Sequence, residues 1–399
     1  MKVLLSPFAC EPHKGSEPEV GLRTLLAAAS KHDVWLITTG VAARALHPFL
    51  REHSLSARIT VTPVRLGVNE HELGLASFHR YYDRWQRIMS DRARELDALI
   101  GFDVVHHATL ANTWTRAGVA RVHKPLVWGP VGGGVEPPAR LLSLLGTRGM
   151  ANAAARIVSR RLMAQLPHTR LAPSVAVVPL AQNPTTARRM RVNSSVGVLS
   201  NATTVDLSEL PFDARSTRTD EILYVGRILP WKGLPLALLT LKELAHRQAR
   251  LTIIGEGPDL DRVMRLARRL HVHDRVDVVG WMPRDEMLQR LRVATALLFP
   301  SLHDEAGMSV AEALSVGTPV VCLDHGGPPE VVRSWPGAAA ALVRPGWPRE
   351  TATAMASALD RFIDAPPPVA TSPCEPSVSY AQRIDEAYLA AASRAAEVH

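Results

Sequence analysis

Two cations and two carboxylates in the second half of the chain have the types and spacing to hold an anion beside a polyol. Arg227 and Lys232 lie in Tyr224-Val225-Gly226-Arg227-Ile228-Leu229-Pro230-Trp231-Lys232-Gly233, after an apolar run and before a helix-like stretch, where both can face a diphosphate. With forty arginines and six lysines in the chain, a lysine here is informative. A compact point charge suits a leaving phosphate, whereas a generic surface cation in this composition would be arginine. Further along, the apolar run Ala296 to Phe299 ends at Pro300, and Ala306-Gly307-Met308-Ser309 can present backbone amides to an anion at the start of the next helix. Asp304 and Glu312 bracket those amides. Two plainer readings stay open: Ser309 and Glu312 fit a capping box, and Arg227 and Lys232 fit solvated surface cations.

The step from Asp304 to Glu312 matches in spacing the E-x7-E element of retaining glycosyltransferases of family 4. With Ser315-Val316-Gly317-Thr318-Pro319 and Gly326-Gly327-Pro328-Pro329-Glu330 downstream, and the G-R-x4-K-G spacing upstream, the chain resembles that family. It departs from the pattern at the first acid, Asp304 in place of glutamate, with Glu305 as the alternative register. The resemblance implies the GT-B fold, an α/β architecture of two Rossmann-like parallel-sheet domains facing a central cleft. It implies a metal-independent transfer of a hexose from a nucleotide-diphosphate sugar to a glycan or lipid-linked acceptor, in cell-surface glycan, polysaccharide or glycolipid synthesis. No metal and no other cofactor is expected. In that reading Arg227 and Lys232 meet the donor diphosphate, with Gly226 beside them, and Glu312 meets the ribose hydroxyls. Asp304 and the amides of Gly307 and Met308 meet the sugar, with Ser309 in the same turn. Met282, in Val279-Gly280-Trp281-Met282-Pro283, matches the segment whose backbone meets the base. A GT-B phosphorylase and a non-catalytic sugar- or nucleotide-binding protein are the alternatives. A dinucleotide-dependent oxidoreductase is disfavoured, because Leu260 stands where the third glycine of a fingerprint beginning at Gly255 belongs.

These residues need a scaffold, and 399 residues suffice for two domains of ordinary size. The composition, 46% apolar and 21% charged, is that of a soluble globular protein, and no apolar run approaches the roughly 20 residues of a membrane span. Three scattered cysteines, Cys10, Cys322 and Cys374, indicate neither a disulfide framework nor a zinc site, so a cytoplasmic location is expected. Short apolar runs alternate with amphipathic stretches, the rhythm of parallel sheets covered by helices. Strands are expected at Val3–Leu5, Val34–Thr38, Ile59–Pro63, Val104–His106, Leu126–Trp128 and Val196–Ser200, then at Ile222–Val225, Leu251–Ile254, Val276–Val279, Ala296–Phe299 and Pro319–Leu323. Helices are expected at Val20–Ser30, Leu75–Ile100, Ala151–Leu166 and Tyr380–Ala396. The domains expected are 1–205, an N-terminal acceptor-binding domain, and 206–375, a nucleotide-sugar-binding domain. By the resemblance, a C-terminal helix within 376–399 crosses back to the first.

In the first domain, the loop after the first strand resembles the N-terminal loop of the same family, which implies Gly15 for close approach to the donor diphosphate and the acceptor, with Ser16 next. Gly132 and Gly133, in Trp128-Gly129-Pro130-Val131-Gly132-Gly133-Gly134, can line the cleft in the same way. His106 and His107 end a strand where an open parallel sheet places ligands, and neighbours on a strand point to opposite faces, so one of the two can face the cleft. The net charge of +8 is local. From Pro137 to Val205 there is no acid, while nine arginines lie there, more than the net charge of the whole chain. In the helix expected there, Ala155, Val158, Leu162 and Leu166 oppose Arg156, Arg160 and Arg161. Such a segment can rest on an anionic membrane, a peripheral place at its inner face, or can pack its apolar side on the sheet. Nucleic acid is not expected, since no nucleic-acid-binding motif accompanies the charge.

Overall fold

In the computed structural model the described residues are 1–12, 14, 17–55, 57–66, 75–115, 117–163, 165, 176–190, 192, 194–204, 212 and 217–396. Among them the chain forms two parallel sheets, each within one compact unit. The first unit comprises Met1–Gly134, Ser159–Thr204 and Val378–His399, and the second Val135–Val158 and Val205–Ser377. Val135–Val158, expected in the first domain, thus pack with the second, because Leu141, Leu145 and Ala153 insert into its apolar core.

The first sheet contains β1 (Lys2–Leu5), β2 (Asp33–Thr39), β3 (Ile59–Val64), β4 (Val104–His107), β5 (Leu126–Val131), β6 (Val177–Ala181) and β7 (Gly197–Val198), in the spatial order β3-β2-β1-β4-β5-β6-β7. The second contains β8 (Glu221–Val225), β9 (Arg250–Ile254), β10 (Val276–Gly280), β11 (Ala296–Phe299), β12 (Val320–Leu323) and β13 (Ala340–Val343), in the order β10-β9-β8-β11-β12-β13. Strands β4, β5, β11 and β12 are buried along their whole length. That is why they read as unbroken apolar runs: a parallel strand is covered on both faces.

Two layers of side chains cover the first sheet. One joins Leu25, Leu36 and Leu46 to Tyr380, Ile384 and Tyr388 of the Tyr380–Ala396 helix, and the other joins Leu4 and Ile37 to Tyr82, Trp85 and Met89 of the Leu75–Ile100 helix. The C-terminal helix is fixed within the first unit by a 2.9 Å hydrogen bond between the Tyr380 and Thr24 hydroxyls and by Arg383, which donates to the Val198 carbonyl.

Both sheets reverse their order once, between β1 and β4 and between β8 and β11. At such a point the connections leave neighbouring strands toward opposite faces and open a crevice beyond their carboxyl ends. The second unit places the loop carrying Arg227 and Lys232 after β8, and the loop carrying Asp304 after β11, on the two sides of that point.

Candidate functional site

Beyond β8 the chain runs through Gly226 and Arg227 into one helical turn, Pro230–Lys232, and then into the Leu234–Glu243 helix. The Tyr224 hydroxyl donates to the Arg227 carbonyl at 3.0 Å, and the Gly226 and Ile228 amides donate to Ile254 and Glu256, so this loop is held from beneath. Gly233, at φ 78°, lets it lie directly on the loop after β11: a Cβ there would sit 1.9 Å from the Pro300 carbonyl oxygen. The Leu302 amide completes the contact by donating to the Trp231 carbonyl at 2.9 Å.

The result is an ion pair. Lys232 Nζ donates to Asp304 Oδ2 at 2.6 Å, with the two side chains 25% and 11% exposed. Asp304 Oδ1 accepts from the amides of Gly307 at 2.7 Å and Ala306 at 3.2 Å. Burial opposes ionisation of Asp304, but the charge and hydrogen bond of Lys232, with the Gly307 amide, hold its carboxyl below the usual carboxylate range. The Gly307 amide, expected at the sugar, is therefore engaged by Asp304. The next two, Met308 and Ser309, begin the Met308–Ser315 helix and find no acceptor among the described residues. They are the donors this helix start offers an anion. Arg227, on the loop after β8, is exposed, and its guanidinium meets no carboxylate among the described residues.

Glu312 does not close a capping box. Gly307, left-handed at φ 76°, is the residue that starts the helix, two positions before Ser309, which places Glu312 in the second turn. There its Oε1 accepts from Arg284 Nε at 3.1 Å. Glu305, the alternative first acid, turns to the Val135 amide, which donates to its Oε1 at 2.9 Å. Asp304 is thus the acid that faces Lys232. Met282 is half-buried between β10 and the Arg284–Val293 helix, next to the exposed Trp281, whose amide donates to Glu256 at 3.3 Å.

The first-unit candidates fall out differently. Gly15 and Ser16 lie outside the described residues. His106 and His107 do point to opposite faces, yet both rings are inside the unit, 0% and 1% exposed, and neither is available to line a cleft. His106 Nε2 donates to the Gly129 carbonyl at 2.7 Å and its Nδ1 accepts from the Tyr388 hydroxyl at 2.8 Å; burial lowers its pKa to about 4, against the pull of Gly129. His107 lies against Tyr82 and Gln86, and burial lowers it to about 3, with His106 adding to the effect. Gly132 bridges to Asn112 and donates to Ala111, and Gly133 passes under Trp114, whose ring would be 2.1 Å from a Cβ. Close packing under Trp114 therefore accounts for Gly133, and Gly132 is buried within its backbone bridge.

Sequence reasoning passed over Arg284, Tyr224 and Glu256. A tyrosine inside an apolar strand and one arginine among forty carry no signal of their own; only the fold brings them to this site. Among the described residues no three His, Cys, Asp or Glu side chains are grouped as they would be around an ion.

Residues 209–366 match the family model described as glycosyl transferases group 1. The glycogen synthase of Mycobacterium tuberculosis is 37% identical over 132 residues, 32% of this chain and 32% of that protein. The chain spans about a third of the length of the curated relatives it matches. Over the whole chain, sucrose-phosphate synthase from Thermosynechococcus elongatus aligns with a TM-score of 0.57 at 15% identity, covering 100% of this chain and 94% of that one. The Anabaena protein HepE, solved with UDP and glucose, aligns with a TM-score of 0.54 at 17% identity, covering 100% and 97%. The chain therefore has the GT-B fold, and its second unit carries the group 1 glycosyltransferase pattern.

Proposed function

We propose that this protein is a retaining glycosyltransferase of family 4, moving a hexose from a nucleotide-diphosphate sugar to a glycan or lipid-linked acceptor in the cytoplasm. The observation that carries this reading is the Lys232–Asp304 pair at the switch point of the second sheet, followed at once by the unengaged amides of Met308 and Ser309. Cleavage of the bond between the sugar's C1 and the phosphate oxygen leaves the electron pair on that oxygen. Preorganised positive charge is what the step most requires. Lys232 and Arg227 supply it, and the helix start adds the amides. Asp304 accepts hydrogen bonds from the sugar hydroxyls, Glu312 from the ribose, and the segment around Met282 borders the base. No metal or other cofactor enters this scheme. The group 1 match over residues 209–366 and the likeness to a structure holding UDP and glucose support it.

A thermal-shift panel of UDP, GDP, ADP and their sugars on wild type and Arg227→Ala tests the proposal. Stabilisation by one base, lost in the variant, is the expected result and names the donor class. No shift with any of them would overturn the reading. A peripheral place at the inner face of the membrane is the accompanying proposal, supported by the acid-free segment 137–205.

A further inference from the structure

The second unit opens with Val135 and Glu136, and two loops at the carboxyl end of its sheet hold them by one backbone group each. Glu305, in the loop after β11, accepts the Val135 amide on Oε1 at 2.9 Å. His325, in the loop after β12, meets the Glu136 carbonyl through Nε2 at 2.8 Å. A carbonyl only accepts, so this nitrogen carries the ring proton. The two loops also lie directly on each other. The Gly327 amide donates to the Asp304 carbonyl at 3.0 Å, and Cβ atoms at Gly326 and Gly327 would lie 2.4 Å from the Asp304 carbonyl oxygen and 2.1 Å from that of Glu305. Gly326, at φ 73°, faces Val135 as well: the valine is 0% exposed, and its Cγ1 would be 3.2 Å from that Cβ. The side chain of Asp304 thus reaches Lys232 and the Gly307 amide, while its carbonyl and the next side chain are fixed from the other direction.

We propose that Glu305 and His325 are positioning residues for the transfer: by gripping Val135 and Glu136 they fix the peptide that carries Asp304, and so the direction in which its carboxylate meets the donor sugar. The inference rests on the transferase reading above, because only a sugar at Asp304 makes that direction matter. It also gives the two adjacent acids separate tasks. Asp304 turns to Lys232 and Glu305 turns to Val135, so one carboxylate serves the site and its neighbour holds it in place. The chemistry asks for such support, since a displacement of about 1 Å beside the reacting atoms costs up to about 100-fold in rate. Without Glu305 the Val135 amide loses its acceptor, and the segment is free to seek another.

The test uses UDP-glucose, GDP-glucose and ADP-glucose with water taking the sugar, so that release of the nucleoside diphosphate reports cleavage, together with calorimetry of each nucleoside diphosphate with and without its glucose. Glu305→Ala is expected to lower kcat about tenfold and to weaken binding of the nucleotide sugar, while binding of the nucleoside diphosphate alone stays within about twofold. Glu305→Gln still offers the Val135 amide an oxygen and should recover most of the rate. His325→Ala should lose about fivefold, and His325→Gln, which keeps a donor for the Glu136 carbonyl, should recover it. Both side chains act on one segment, so the double alanine variant should lose little more than the worse of the two single ones. A purely structural clamp would instead lower the melting temperature and weaken both ligands alike. Unchanged kcat in the alanine variants, losses that multiply in the double variant, equal weakening of the two ligands, or no recovery with glutamine would each overturn the proposal. If Glu305→Ala does not fold, the His325 variants decide by the same criteria. Wild type that neither binds nor cleaves any of the three would remove the transferase reading and this inference with it, whereas variants that cleave as fast as an active wild type remove the inference alone.

Discussion

Lys232 and Asp304 are 72 residues apart in the chain and 2.6 Å apart across the switch point of the second sheet. The same carboxylate also takes the Gly307 amide, so one side chain joins the cation after β8 to the helix start. Asp304→Asn is expected to lower kcat/KM about 10²- to 10³-fold, the size of effect seen when one preorganised group is lost from a reacting centre. Glu305→Gln should keep most activity, because an amide oxygen still accepts from Val135. Steady-state kinetics on the two variants decides this, and the reverse pattern would discard the assignment of the first acid.

The lowered pKa of Asp304 has a stability counterpart. A carboxyl that ionises more readily folded than unfolded contributes stability above its ordinary range and loses it as pH falls through its folded value. Denaturation midpoints of wild type should therefore fall more steeply below about pH 4 than those of Asp304→Asn. Parallel curves would show that the pair adds nothing to folding.

Gly233 sets the distance between the two loops. Its φ of 78° and the 1.9 Å approach of the Pro300 carbonyl to a Cβ leave no room for alanine. Gly233→Ala is expected to cost about 1–3 kcal/mol of stability and to lower kcat/KM more than a surface change of equal cost, since relief of the clash moves Lys232 from Asp304. Comparing its activity with that of an equally destabilised core variant, both assayed well below their melting temperatures, separates the two effects.

The two buried histidines give the first unit its own pH signature. An unfolded histidine takes up a proton near 6.5, whereas His106 and His107 do so at about 4 and about 3. Between those values the unfolded chain binds more protons, so stability rises with pH. From pH 7 to pH 5 each ring should account for about 2 kcal/mol of lost stability. His106→Gln, which can still donate to Gly129 and accept from Tyr388, should lose less over that interval, measured by urea titration at the two pH values. An unchanged difference would mean that the ring is not neutral in the folded protein.

Much of the second sheet was legible because its strands are buried on both faces. Ala296–Phe299 is bounded as its apolar run is bounded, and the spacings singled out Lys232 and Asp304 separately, whereas their ion pair appears only in the fold. Three elements were not legible, each for a physical reason. β6 carries Pro179 at its centre, a residue that removes a ladder donor. β13 begins with two alanines, which have little strand preference. The Gly40–Glu52 helix contains Pro48 and relies on the Thr39 side chain, which accepts the Ala42 amide, for its start. The histidines misled for another reason: a strand's carboxyl end is a ligand position only where the chain leaves it open, and Tyr388 and Gln86 fill the space beside these rings.

Arg284 is the residue at the site that sequence alone had no reason to select, and its role can be separated from general stability. It donates to Glu312 Oε1 at 3.1 Å from the first position of its helix and is largely exposed, so the pair is screened and worth about 0.2–1 kcal/mol. If it positions the carboxylate for ribose hydroxyls, Arg284→Ala should weaken binding of a ribonucleoside diphosphate about two- to fivefold. Binding of the 2′,3′-dideoxy analogue, which has no hydroxyls for Glu312 to accept from, should not change. Arg284→Lys should recover part of the loss, because it keeps the charge without the planar fork. Calorimetric titration of both ligands into the three proteins measures this coupling directly, as a cycle between a side chain and a ligand group. Equal weakening for the two ligands would assign Arg284 a purely structural part in joining the Arg284–Val293 and Met308–Ser315 helices.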